Sequence, residues 1–277
     1  GRGMFMAKDR GGNPRPGARP RQPPRRRALG IRLARYGILA GFLLLWEVLA
    51  RVGAIDPFLL SSPSRMVATI AELIRTGEMW LHLGTTLWET VVGFVLGSLL
   101  GIALAIALWW SDTLTKILDP YLVVLNALPK IALGPVLIVW IGAGMPAIIT
   151  MSLLVSVIVM LVTVLGGFLS VEKEKRTLLR AFGASKVQEF TMVVFPGALA
   201  NTVSALKLGI GMTWVGVIVG EFLVSRAGLG YLIVYGGQVF KLDLVMAGTA
   251  VLCLFAALMY LGIALWEKRL RASLQTD

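Results

Sequence analysis

The chain is poor in the residues that most chemistry needs. It has a single cysteine, Cys253, so no internal disulfide can form, and a single histidine, His82, with no second ligand beside it. A lone histidine of this kind reads as a packing or interface residue, and Cys253 as a small buried hydrophobe. No glycine-rich loop ends in the Lys-Ser/Thr pair that cradles nucleotide phosphates, which excludes ATP binding of the usual kind. Paired carboxylates and His/Cys clusters suited to covalent or metal chemistry are also missing, so no catalytic residue is assigned. Charge is scarce as well. Only 15 % of the 277 residues are Asp, Glu, Lys or Arg, against roughly 25 % in soluble domains.

What the chain has instead is apolar length. Hydrophobic residues make up 57 % of it, in runs long enough to cross a hydrocarbon core of about 30 Å. Six spans are expected, at about 31–50, 85–110, 119–141, 146–165, 203–224 and 244–266, giving an all-α integral membrane protein. The net charge of +12 is concentrated, since 11 of the 27 Lys and Arg precede residue 36. Residues 1–28, rich in Gly, Pro and Arg, read as a disordered tail that anchors to the membrane surface and does not bind nucleic acid. The body then covers 29–270 and a short polar tail 271–277. With six spans and the N-terminus inside, 20 Lys and Arg fall on the cytoplasmic side and 5 outside, which places both termini in the cytoplasm.

Within the spans, Gly93, Gly97 and Gly101 recur every four residues and present a thin face for close helix contact. The third span carries Pro129 and Pro135 around Lys130. Backbone groups freed by proline must be satisfied inside protein, so this span is expected to face the bundle interior. The Trp109-Trp110 pair fits an interfacial belt. In the fifth span, Lys207 is close enough to the cytoplasmic end to snorkel, while Thr213 and Glu221 are polar groups within an apolar run. An acidic residue in lipid is costly, so Glu221 has either a protein partner or a water-filled path beside it. Between 51 and 81, Ser61-Ser62-Pro63-Ser64 reads as the start of a short surface helix.

The longest polar interruption is Glu172 to Pro196, EKEKRTLLRAFGASKVQEFTMVVFP. Charges fill its first half. After Gly183, Val187, Phe190, Val193 and Val194 recur at spacings of three and four. That pattern predicts two short helices bent at Gly183-Ala184-Ser185 and lying at a membrane surface, where a partner could reach them.

Gly183, nine residues, then Val193-x-Phe195-Pro196 resembles the cytoplasmic loop signature of ABC-importer permease subunits, with Thr177-Leu178-Leu179 in place of its usual Glu-Ala-Ala start. Two further stretches resemble the branch importing nitrate, sulfonates and taurine: the proline-rich segment ending Trp140-Ile141-Gly142-Ala143-Gly144, and Gly220-Glu221 ahead of Gly228-Leu229-Gly230-Tyr231. The resemblance implies a multi-pass permease of the bacterial inner membrane with a second permease copy (a homodimer), two ATPase subunits and an extracytoplasmic substrate-binding protein. ATP and Mg would reside in the ATPase, with no cofactor bound by this chain. It further implies ATPase coupling through Gly183, Ala184, Val187, Phe190, Val193 and Pro196, and a path or gate shaped by Lys130, Thr213 and Glu221. The implied cargo is a small anion. Alternatives are a pyrimidine or vitamin precursor such as riboflavin on the same architecture, or a membrane scaffold that does not transport.

Overall fold

The computed structural model describes residues 25–274, in which every regular element is helical. The basic tail expected over 1–28 lies outside the described residues up to position 24, as do residues 275–277. In order the elements are α1 (Arg25–Arg51), α2 (Pro57–Leu60), α3 (Pro63–Thr76), α4 (Glu78–Trp110) and α5 (Asp112–Ala127). A 3-10 turn (Lys130–Leu133) leads into α6 (Gly134–Ile141) and α7 (Met145–Ser170). Then come α8 (Lys173–Ala181), α9 (Lys186–Glu189), a π-helical turn (Phe190–Val194), α10 (Phe195–Gly197), α11 (Leu199–Val224), α12 (Leu229–Gln238) and α13 (Leu242–Leu274).

Five of these helices, α1, α4, α7, α11 and α13, are long and apolar enough to cross a membrane. The third expected span is not one straight helix. It breaks between α5 and the following turn and bends by 83°. Pro129 supplies the reason, because it has no N–H to continue the ladder and holds Leu128 extended (φ −62°, ψ 133°). Lys130 Nζ donates to the Asn126 carbonyl at 3.0 Å, satisfying one of the oxygens left at the end of α5. Within this chain α5 packs only Leu118 and Leu122, both half-buried, on the core, while α6 buries Gly134 and Leu137.

The core is a three-helix layer with α7 in the middle, flanked by α4 and α11. Lipid gives apolar side chains no reason to prefer one another, so close backbone approach has to come from small residues. Both flanking helices supply them. A Cβ on Gly97 would lie 2.6 Å from Ser156 Oγ, and one on Gly101 would lie 2.5 Å from Met160 Cβ. From the other side, a Cβ on Gly216 would lie 2.5 Å from the Ser152 Cα, and one on Gly220 would lie 3.0 Å from the Ile148 Cα. The glycine faces of two helices therefore clasp the same neighbour. Gly216→Leu is expected to prevent recovery of a monodisperse folded protein in detergent. Gly211→Leu, where a Cβ meets nothing within 4 Å, should elute as wild type. Overpacking against backbone costs about 1–3 kcal/mol or more, because backbone cannot move aside as a side chain can.

The two ends of this layer are closed differently. At one end Leu108, Trp109, Leu165, Phe168, Phe190 and Val194 form an apolar cluster that joins α4 and α7 to the segment before α11. At the other, Met79, Leu83, Leu229, Leu232 and Leu244 join α4, α12 and α13. Ser62 caps α3, whose Arg65 pairs with Asp243 of α13 at 2.7 Å, while Ser61 Oγ donates to the same carboxylate at 2.6 Å. Lys207 does not snorkel alone; it pairs with Glu267 of α13.

Candidate coupling surface and polar latch

The polar segment after α7 folds as a tight hairpin. Gly183 ends α8 in the left-handed region (φ +81°), a conformation that favours glycine, and its N–H donates to the Arg180 carbonyl. Ser185 then opens α9 with a reciprocal cap: Gln188 N–H donates to Ser185 Oγ at 3.3 Å, and Ser185 N–H to Gln188 Oε1 at 2.8 Å. The turn brings Glu189 against α8. Its carboxylate accepts from Arg176 Nε at 2.6 Å and from Arg180 Nε at 2.7 Å and Nη2 at 3.1 Å, and its side chain is only 1 % exposed. Burial pushes this carboxyl up, but the hydrogen bonds and charges of Arg180 and Arg176 outweigh it and hold the group below its ordinary value. Hydrogen bonding to Glu189, with its charge second, raises Arg180 in turn.

Phe190 fixes the hairpin to the bundle. Its ring packs 5.0 Å from Trp109 and 5.3 Å from Phe168, centroid to centroid. Arg176 and Lys186 each lie 5.5 Å from the Trp109 ring, and Lys186 Nζ donates to the Trp110 carbonyl at 2.5 Å. The π-helical turn rotates Phe190 onto Trp109, so its ring is buried. Trp109 is buried too, and only Trp110 keeps an exposed face. Of the remaining residues singled out here, Val187 and Pro196 are exposed, Ala184 and Val193 half-buried. The outward surface carries a large apolar group that periodicity did not mark, Phe182, 81 % exposed beside Gly183, with Leu178 and Met192 also exposed.

At the opposite end, Glu221 is not in open space. Its Oε1 accepts from Thr86 Oγ1 at 2.7 Å and its Oε2 from the Gly230 N–H at 2.6 Å. Thr86 Oγ1 also accepts the Leu229 N–H at 2.8 Å, and His82 Nδ1 accepts the Gly228 N–H at 3.0 Å. Together these groups satisfy three successive amides of the turn into α12 and tie it to α4. The glycines are needed there: a Cβ on Gly228, itself at φ +120°, would sit 2.5 Å from Glu221 Cδ, and one on Gly230 would sit 2.6 Å from Oε2. Thr213 is fully buried between α4 and α11, where its hydroxyl donates to the Gly209 carbonyl at 2.8 Å. Thr213 and Glu221 stand about 12 Å apart along the axis of α11, while Lys130 is held at the α5 break by the Asn126 carbonyl.

Glu189, Thr86 and Glu89 were missed by the sequence reading. Glu89 had a signal, a charge about 17 Å into an apolar helix at 1.5 Å per residue. Glu189 had none, because its partners come from across the turn. Among the described residues no group of three His, Cys, Asp or Glu side chains converges as a metal site.

Comparison with known proteins agrees with this architecture. A family model described as "Binding-protein-dependent transport system inner membrane component" matches residues 97–272. The chain is 28 % identical over 239 residues to the taurine transport system permease protein TauC of Escherichia coli, covering 84 % of this chain and 87 % of that one. It is 28 % identical over 242 residues to the putative aliphatic sulfonates transport permease protein SsuC of Bacillus subtilis, covering 85 % and 88 %. A probable ABC transporter permease protein of Haemophilus influenzae is 30 % identical over 237 residues, with 84 % and 95 % covered. The fold is that of a chain in the inward-facing MetNI methionine ABC transporter, with a TM-score of 0.60 at 20 % identity over 72 % of this chain and 95 % of that one. A family model spanning most of the chain, on a bundle with these broken and glycine-clasped helices, leads to one conclusion: the protein belongs to the binding-protein-dependent transport system inner membrane components, as a non-catalytic permease subunit of an ABC-type importer.

Proposed function

We propose that this permease carries a small anion of the sulfonate type inward, and that the hairpin α8–α9 is the seat of a separate ATPase on the cytoplasmic side. The observation that carries the reading is the build of the hairpin. It is braced within itself through Glu189, fixed to the bundle through Phe190 and Trp109, and apolar toward solvent through Phe182, Val187 and Met192. A surface of that kind transmits displacement. A partner that grips Phe182 moves Glu189 and Phe190 with it, and hence the ends of α4 and α7, which is how a bistable bundle can be switched between inward and outward openings. Two copies of the chain would enclose the path, with the exposed apolar face of α5 and α6 against the partner copy. An extracytoplasmic binding protein would deliver cargo at the α12 end, and both termini would be cytoplasmic in the bacterial inner membrane. The sulfonate-type cargo is supported by the names of TauC and SsuC, and the path by Lys130 at the α5 break.

Phe182→Asp tests the seat. The side chain is 81 % exposed, so the variant should melt close to wild type in detergent. Co-purification with a co-expressed ABC ATPase should nevertheless fall at least tenfold, the loss produced by about 1.4 kcal/mol at one buried aromatic contact. Undiminished co-purification would remove the hairpin from the interface and leave the scaffold reading.

A further inference from the structure

One side of α5 lines two cavities that run into one another. Thr115, Lys116, Asp119, Leu122, Val123 and Asn126 recur at three- and four-residue spacings, so they form a single stripe along the helix. The first turns of the stripe line a cavity of about 510 Å³, walled on its other side by α8. The later turns line one of about 430 Å³ against α7. Leu169 of α7 belongs to both walls, so the second cavity continues the first. The opposite side of α5, with Tyr121, Val124 and Leu128, is exposed and remains the face for a partner copy.

The two cavities differ in chemistry. The first is lined by Lys116 of α5 and by Lys173, Arg176 and Arg180 of α8, with Asp112 among them. Glu189 engages both arginines, and Asp112 lies within electrostatic reach of Arg180. Lys116 and Lys173 stand on the two facing elements, and among the described residues neither forms an ion pair. The second cavity has Asp119 at the end nearer Lys116 and Asn126 farther along, and is otherwise lined by apolar residues of α5 and α7. Two unpaired ammonium groups therefore stand at the head of an apolar groove. They do so where α7 ends and where Trp110 keeps an exposed face, the level of a membrane surface.

We infer that the joined cavities bind one anionic phospholipid, its phosphate between Lys116 and Lys173 and an acyl chain along the groove between α5 and α7. Basic pockets between helices at a membrane surface attract anionic headgroups, each Lys or Arg adding about fivefold in affinity. A soluble anion would leave the groove empty, and an uncharged lipid would leave the lysines unpaired. Asp119, a turn beyond Lys116, repels negative charge from the groove and keeps the phosphate at the lysines. A bound lipid would tie α5 to α8 and so brace the hairpin. Neither Phe182 nor Glu221 lines the site, so it stands whether or not an ATPase docks on the hairpin.

The experiment is a thermal melt of the purified, delipidated chain in detergent, at pH 7 and constant ionic strength. Dioleoyl phosphatidylglycerol is compared with dioleoyl phosphatidylcholine, which has the same chains and no net charge. Glycerol phosphate supplies the charge without the chains. Phosphatidylglycerol at about ten times its dissociation constant should raise the midpoint by about 3–6 °C, and the other two by less than about 1 °C. Lys116→Gln combined with Lys173→Gln should bind about 30-fold more weakly and cut the shift to under about 1 °C. Both lysines are exposed, and the Glu189 clamp stays in place without them. Gly166→Leu keeps the lysines and fills the groove, since a Cβ there meets nothing within 4 Å; it should at least halve the shift. Equal shifts with both lipids would mean an unspecific lipid belt, and an equal shift with glycerol phosphate a bare anion site. Either result overturns the proposal. So does a flat wild-type response, or one that either variant retains in full.

Discussion

Alanine at Glu189 is expected to speed backbone hydrogen exchange across residues 173–194 by about 30-fold, while the amides of α7 and α11 keep their protection. The figure corresponds to about 2 kcal/mol. Removing one partner of a fully buried ion pair costs about 3–5 kcal/mol. Here Arg180 is half exposed and can turn to water, so part of that cost is screened away. Arg176, 15 % exposed, cannot escape as easily. The loss is local because the hairpin is an end structure held by this clamp and by Phe190, and local openings need not unfold the bundle. The pH dependence follows the same group. Glu189 has its folded value held below the ordinary 4.5, so its contribution is fully present above that ordinary value and fades as pH falls through the lower folded one. Wild-type hairpin protection should therefore be flat above about pH 5 and decline in stronger acid toward that of Glu189→Ala, which should show no such step. Equal exchange in both proteins would mean that Phe190 alone fixes the hairpin.

The second large effect is expected at the other end. Glu221→Ala leaves the Gly230 amide without its acceptor and removes the acceptor of the Thr86 hydroxyl, both of them buried. Each buried polar group left unpaired costs about 1–3 kcal/mol. The melting midpoint of the purified chain should fall by about 5–10 °C, at roughly 2–4 °C per kcal/mol for a chain of this size. Gly230→Ala should fall similarly, because its Cβ would contact the same carboxylate. Glu172→Ala, at an exposed surface pair with Lys175, serves as the control and should melt within about 1 °C of wild type. A Glu221→Ala protein that melts with the control would show that the α12 turn is held by the surrounding leucines and not by the carboxylate.

These two sites show why some of the molecule could be read from the chain and some could not. Periodicities that act along one helix were legible: the glycine face of Gly93, Gly97 and Gly101, the cap at Ser62, the bend at Gly183, the apolar length of five spans. Each reports a cost that a residue meets within its own turn of helix or against lipid. The bend of the third span was half legible, since Pro129 marked a break but not its 83° angle. Contacts made across turns left no local trace. Glu189 reads as one more charge in a charged loop until Arg176 and Arg180 come round to it. Phe190 belongs to a legible apolar spacing, but the π-helical turn that sets it on Trp109 left no mark in the sequence. Glu221 was recognisable as costly in lipid, yet its partners Thr86 and Gly230 come from 135 residues before it and 9 after it.

The hairpin is proposed to carry force between a partner ATPase and the bundle, and ATP hydrolysis in lipid vesicles tests that most directly. The permease is reconstituted with a co-expressed ABC ATPase and a substrate-binding protein, and hydrolysis is measured with and without a sulfonate cargo. Wild type should hydrolyse faster when cargo is present and accumulate it. Phe182→Asp, folded as stably, should hydrolyse at one cargo-independent rate and accumulate none. Cargo-stimulated hydrolysis and uptake that persist in Phe182→Asp would contradict the account.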